Sequence, residues 1–236
     1  MLSTGSERID QQLEGGLFSQ ELIEVSGPPG TGKTQLALQM TGLILAEDHT
    51  ACVAYLDISR NFSLSRINEI VHSRGHTGMD VNKLAARIKY SRCSDLYSFM
   101  DFLEAAKSQL KQWGNCRLLV IDSITSIFSS LIGVSYIKGR AMMYSAFRTL
   151  QDLAREHNLV VLIVNSAVGN HSNLERGSLN TKPALGGAWS NLPYVQIFLT
   201  RGRQNEKCRI NCQILKSLRS DPGSIVQVEL NEAGLC

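Results

Sequence analysis

Gly27-Pro28-Pro29-Gly30-Thr31-Gly32-Lys33-Thr34 fits the pattern G-x-x-x-x-G-K-[ST] at every fixed position. Its setting agrees with it: Glu21-Leu22-Ile23-Glu24-Val25-Ser26 predicts a strand before the loop, and Thr34 to Ala46 an amphipathic helix after it. Glycines at Gly27, Gly30 and Gly32 let the backbone curl until several N–H groups point at one spot. The helix N-terminus adds roughly half a unit of positive charge there. A β-phosphate suits that spot, with Lys33 reaching the β- and γ-phosphate oxygens and the Thr34 hydroxyl offering one oxygen to Mg²⁺. A chance glycine-rich turn would not bring a strand and a helix in this order.

Outward from the loop, the chain alternates as βαβ units do. Ser6 to Leu13 reads as a short helix stopped by Gly15-Gly16, Ala51 to Asp57 as a buried strand ending in an acid, and Ser63 to Gly75 as a helix. Arg87 to Tyr90 is a weak strand and Leu96 to Trp113 a long amphipathic helix. Arg117-Leu118-Leu119-Val120-Ile121-Asp122-Ser123 is a hydrophobic strand that delivers Asp122 at its C-terminal end. Ligands of doubly wound sheets lie at those ends, so Asp122 is placed to hold a nucleotide's Mg²⁺ through a water. A glycine-containing loop, 131–139, precedes a helix from Arg140 to His157 and a strand from Leu159 to Asn165. Residues 166–193 break the pattern, and a stretch of that length is functional or disordered. Three further strands, 194–199, 208–215 and 224–230, end the chain. The expectation is a single α/β domain over 1–236, with a mostly parallel central sheet flanked by helices and antiparallel strands at its C-terminal end.

A chain of 236 residues buries a sizeable core, and a net charge of +3 is too small to argue for nucleic acid alone. Local charge is more pointed: residues 176–219 hold eight Lys and Arg against Glu206, a net +7. That excess suits a phosphate backbone or an acidic partner, and equally a solvated basic face. No apolar run is long enough to cross a bilayer and the N-terminus has no signal-peptide pattern, so the chain reads as intracellular, with no membrane partner. The six cysteines show no C-x-x-C pair or zinc spacing and read as buried reduced thiols, with Cys208, Ile210, Cys212 and Ile214 on one strand face. Trp113 and Trp189 suit interface anchors or core, and Trp189, just past a glycine pair, is the one expected near a partner or DNA.

Many ATPases follow the strand-end aspartate with a glutamate; here Ser123 follows Asp122. The whole arrangement instead resembles the RecA-type recombinase core, over nearly all of the chain. The residues that carry the resemblance are Leu2 to Asp10 with Leu13 and Gly15-Gly16, the phosphate loop with Gln35, and Tyr55-Leu56-Asp57. Leu119 to Ser123, Val164-Asn165, and Lys182-Pro183-Ala184-Leu185-Gly186-Gly187-Ala188-Trp189-Ser190 complete the set. The last stretch is most like eukaryotic recombinase paralogues of the D type. The resemblance implies a RecA-like P-loop ATPase core that binds ATP and Mg²⁺. It also implies two DNA-facing loops, about 131–140 and 166–187, with Lys138, Arg140, Arg176 and Lys182 as cationic candidates, and Arg66 where the family stacks an arginine on adenine.

The departures point the same way. Active members carry a water-orienting glutamate where this chain has Ser59, and a γ-phosphate-sensing glutamine where it has Ser166. Serine cannot take a proton at neutral pH and is too short to bridge the gap. The chain also begins at the ATPase core, without the helical N-terminal domain and aromatic-x-x-Ala segment of self-assembling members, so a long homofilament is disfavoured. The implied function is an ATP-binding paralogue that acts in the nucleus, with cytoplasm also open to it. It would bind single-stranded or junction DNA and assist homologous recombination and double-strand break repair within a hetero-oligomer of other paralogues and the main recombinase. Two alternatives stand beside it. One is a minimal strand-exchange ATPase that would need Asp57 or Glu24 as its missing carboxylate; the other is a RecA-like signalling ATPase.

Overall fold

The computed structural model describes residues 1–169, 181–202 and 208–236, with backbone alone at 130, 132–134 and 136. In chain order the elements are α1 (Glu7–Gln12), β1 (Leu22–Ser26), α2 (Lys33–Glu47), β2 (Cys52–Asp57), α3 (Leu64–Ser73), α4 (Val81–Ala86), β3 (Ile88–Arg92) and α5 (Leu96–Trp113). There follow β4 (Cys116–Asp122), α6 (Thr125–Val134), α7 (Tyr136–Glu156), β5 (Val160–Val164), β6 (Ala167–Gly169), β7 (Thr181–Pro183) and α8 (Gly186–Ser190). The chain ends with β8 (Val195–Arg201), β9 (Arg209–Lys216), β10 (Ile225–Asn231) and β11 (Gly234–Leu235).

The main sheet has nine strands in the order β11-β10-β9-β8-β1-β5-β4-β2-β3. From β8 to β3 the pairings are parallel, and from β8 to β11 antiparallel. Every residue of β1, β2 and β5 is buried, the condition of strands covered on both faces. Alternate residues feed two cores. Ile23, Val25, Val53, Tyr55, Val120 and Leu162 pack under α1 to α4, while Leu56, Leu119, Ile121, Val161 and Ile163 pack under α5 to α8. Register aligns the ends of the parallel strands: Asp57 pairs with Asp122, Asp122 with Val164, and Val164 with Val25. The two acids and the residue after β5, Asn165, therefore arrive in one row beside the end of β1, where the phosphate loop begins.

Several expectations change. Helix α2 is not amphipathic: residues 36–46 are all buried, because it is enclosed by the sheet, α3 and β11. Its two polar side chains there are satisfied locally. Gln39 donates to the carbonyls of Thr4 and Leu235 and accepts from Leu235 N, while Thr41 donates to Ala37 O. Residues 131–139 are not a loop. They form the end of α6, a corner at Ser135 and the start of α7, with the Ser135 and Gly139 amides bonded to Leu131 O and Ser135 O. Two isolated glycines, at about 1 kcal/mol each, do not outweigh a helix that neighbours support. Cys208 is exposed and only Cys212 of that pair is buried. The short helix α4 and the two-residue strand β11 are too brief to leave a periodic signal.

Candidate functional site

The phosphate loop takes the shape its glycines allow. Gly27 has φ +152°, and a Cβ there would lie 2.2 Å from Leu199 O on β8, so the loop can rest on that strand only as glycine. Gly30, at φ +74°, lies against the Arg201 guanidinium, which also donates to Gly30 O at 3.2 Å. Thr31 closes the turn by donating to Pro28 O. The N-cap of α2 is Gly32, without a side-chain cap, so its first N–H groups face the loop. Lys33 Nζ donates to the carbonyls of Gly27 and Pro28, each at 2.7 Å. Burial pulls its pKa down and the nearby Asp122 partly offsets that.

Asp122 faces the loop from the end of β4, 1% exposed. Its Oδ2 accepts from the Thr34 hydroxyl at 2.7 Å and from the Tyr55 hydroxyl at 3.2 Å. Burial raises its pKa, the Thr34 and Tyr55 hydroxyls lower it, Asp57 raises it and Lys33 lowers it. The peptide bond from Asp122 to Ser123 is cis. Asp57 accepts from the amides of Asn61 and Phe62 and from the Tyr90 hydroxyl, which ties it to the turn after β2. Around these groups lies a cleft of about 450 Å³ lined by the second half of the loop with Gln35 and Leu230 and, from the strand ends, Ser59, Asp122 and Ser166. Convergent N–H groups, a lysine and a Thr–Asp oxygen pair fit a nucleotide polyphosphate with Mg²⁺, an ion that prefers one or two protein oxygens plus phosphate. Among the described residues no cluster of three or more His, Cys, Asp or Glu forms an all-protein metal cage.

Ser59 and Ser166 both line this cleft. Beside Ser166, Asn165 is fully buried and uses all of its side chain: Oδ1 accepts from the Thr125 hydroxyl and from Ser166 N, and Nδ2 donates to Ala184 O and to Glu24 Oε1. Glu24 also accepts from Trp189 Nε1 at 2.8 Å and Gln196 Nε2 at 2.5 Å. Burial pushes this carboxyl above the usual carboxylate range, and its three donors pull it partly back. Glu24 is thus a sealed structural carboxylate and does not reach the cleft, which corrects its nomination as a water-activating base. Trp189 is 1% exposed, edge-on to Phe147, and belongs to the core instead of a partner or DNA surface.

Other candidates lie apart. Arg66 does not line the cleft itself: its guanidinium donates to Gln35 Oε1 at the cleft edge and to the carbonyls of Asn231 and Glu232, and pairs with Glu69. Lys138 is exposed on α7, Arg140 is half-buried two residues further on, and Lys182 is exposed on β7; Arg176 lies outside the described residues. Of the basic stretch, Arg203 and Lys207 also lie outside the described residues, and the described cations are partly engaged within the fold. Arg209 pairs with Glu229, Lys216 donates to Asn191 O, and Arg219 pairs with Glu21 while stacking on Phe18. Tyr55, Thr125 and Arg201 were not expected at the site. Tyr55 shares a strand face with Asp57, and that alternation, with the family motif Tyr55-Leu56-Asp57, was the signal in the sequence.

The Rad51 family profile matches residues 1–234. Over 242 residues the chain is 29% identical to the DNA repair protein RAD51 homolog 4 of Bos taurus, covering 99% of this chain and 72% of that one. It is 34% identical over 169 residues to the DNA repair and recombination protein RadB of Thermococcus sibiricus, covering 70% of this chain and 67% of that one. A crystal structure of the RadB recombinase superposes with a TM-score of 0.80 at 24% identity, over all of this chain and 98% of the other, which shows the shared fold. A phosphate loop beside a strand-end aspartate on this sheet, with matches that run end to end, leads to one conclusion: the chain belongs to the Rad51 family.

Proposed function

We propose that the chain is an ATP- and Mg²⁺-binding paralogue of the family, which assists homologous recombination and double-strand break repair as one subunit of a hetero-oligomer with other paralogues and the main recombinase. The observation that carries this is the cleft itself: Lys33, Thr34 and Asp122 are assembled to grip a nucleotide, while the positions facing it from β2 and β5 are Ser59 and Ser166. Mg²⁺ would sit with Thr34 and Asp122, and the loop amides and Lys33 would neutralise phosphate charge. Neither serine can activate water. The acids nearby do not replace them, since Asp57 is held by Asn61, Phe62 and Tyr90 and Glu24 is sealed in the core. Nucleotide occupancy then stabilises an assembled state, with slow turnover.

Single-stranded or junction DNA would meet the corner of α6 and α7 and the segment after β5, through Lys138, Arg140, Arg176 and Lys182. The relatives named as DNA repair proteins support a nuclear place of action. The test is equilibrium binding of a fluorescent ATP analogue together with turnover with and without single-stranded DNA. Wild type binds in the presence of Mg²⁺, Lys33→Ala loses at least about tenfold in affinity, and turnover stays low on DNA. Brisk DNA-stimulated hydrolysis that Lys33→Ala abolishes would overturn the paralogue reading in favour of an autonomous strand-exchange ATPase.

A further inference from the structure

Glu24 is fully buried, and its side-chain partners are three neutral donors. Lys216 donates a hydrogen bond to Asn191 O and acts on Glu24 only through its charge. A sealed carboxylate is costly unless it organises its surroundings, and replacement by apolar residues is often neutral or stabilising. What Glu24 organises is specific. One oxygen holds Asn165, at the start of the excursion that leaves β5, and Trp189, in the helix where the chain returns. Between them Asn165 also holds Ala184 O, and Ala184 N donates to Ser166 O. The other oxygen holds Gln196 on β8, the strand that carries Arg201 to the phosphate loop.

Ser166 lines the cleft, and its amide is fixed by Thr125 Oγ1 and Asn165 Oδ1. We infer that Glu24 is a positioning residue: through Asn165 it locks Ser166 at the cleft to Ala184 and Trp189, so that ligand contact at Ser166 is felt at the returning helix α8. This rests on the nucleotide reading above. The route differs from a long side chain reaching out from position 166, which this serine cannot supply. A single and a double substitution together discriminate. In Glu24→Gln the new amide faces the Gln196 or Trp189 donor and loses at least one hydrogen bond, with no change of volume. In Glu24→Gln/Gln196→Glu the new amide at 24 donates to the new carboxylate at 196, and its oxygen still accepts from Asn165 and Trp189.

The chain has two tryptophans, so Trp113→Phe leaves Trp189 as the sole indole, with its N–H on the Glu24 carboxylate. In that background Mg²⁺ and a non-hydrolysable ATP analogue should shift Trp189 emission. Adding Glu24→Gln should abolish the shift while affinity for the analogue, measured separately by calorimetry, stays within about threefold. The double exchange with Gln196→Glu should restore it. A full shift in folded Glu24→Gln, or no restoration by the double exchange, overturns the inference; absence of analogue binding to wild type instead sinks the nucleotide reading. Should Glu24→Gln not fold, Trp189→Phe serves with hydrogen exchange read on 181–190. Analogue-dependent protection there in wild type and its loss in the variant support the lock, and its persistence overturns it.

Discussion

At the scale of single residues, the site shows a conflict between stability and function at Asp122. Its carboxylate is desolvated beside Asp57, and burial raises its pKa. An acid whose folded pKa exceeds its unfolded value, near 3.8, contributes most at pH below that value, and the contribution is lost as pH rises toward the folded pKa. At neutral pH the ionised group therefore weakens the fold. Asp122→Asn keeps an oxygen for Thr34 and Tyr55 and removes the charge. It should raise stability at pH 7 by about 0.5–2 kcal/mol, with less gain near pH 4, and it should abolish the Mg²⁺ dependence of nucleotide binding. Urea unfolding at the two pH values and a Mg²⁺ titration check both halves. A drop in stability at pH 7 would show that the charge is compensated after all.

At the scale of elements, α5 is the helix whose limits are most completely written in local sequence. Asp95 accepts from Ser98 N, the Ser98 hydroxyl reaches back to Asp95 N, and Gly114 ends the helix at φ +77°. Its apolar residues Phe99, Leu103, Ala106 and Leu110 fall on one face. The expected range 96–113 is the observed one. Because Asp95 closes the capping box of α5, Asp95→Ala should lower the thermal unfolding midpoint and leave nucleotide binding unchanged. Helix α2 behaves oppositely. Its amphipathic reading fails because its environment is set by α3 and by β11, a strand nearly two hundred residues away in sequence. The loop expected over 131–139 fails for a related reason: its glycines cost too little to stop α6 and α7, which run on to meet at Ser135.

At the scale of the molecule, the described cationic candidates Lys138, Arg140 and Lys182 are spread over two elements, so the proposed DNA contact would draw on several weak phosphate contacts. Lys138→Ala and Lys182→Ala should each weaken binding of single-stranded DNA about equally for any sequence. Each should also lower the slope of log affinity against log salt by roughly one unit or less. Fluorescence anisotropy over a salt series checks this, and unchanged slopes for both would remove the two lysines from the interface. Arg219→Ala is the control. That side chain pairs with Glu21 and covers Phe18, so its loss should lower stability without changing the salt slope. No described helix is long and apolar enough to cross a membrane.

The phosphate loop, its flanking strand and helix, and the strand that presents Asp122 were legible in the sequence because each is fixed by nearby residues. Glycine spacing, an apolar run of strand length and a terminal acid all act within a few positions of one another. The family resemblance placed Ser59 and Ser166 by the same local patterns. What only the tertiary structure decided are relations across the sheet: Tyr55 and Thr34 meeting on Asp122, Arg201 lying on Gly30, Arg66 turned to the C-terminal carbonyls, and Glu24 gathering Asn165, Trp189 and Gln196. Those contacts depend on strand order and register, in which β1 lies between β5 and β8. Local propensity and periodicity carry the type of an element but not its neighbours, and a side chain's partners are set by the neighbours.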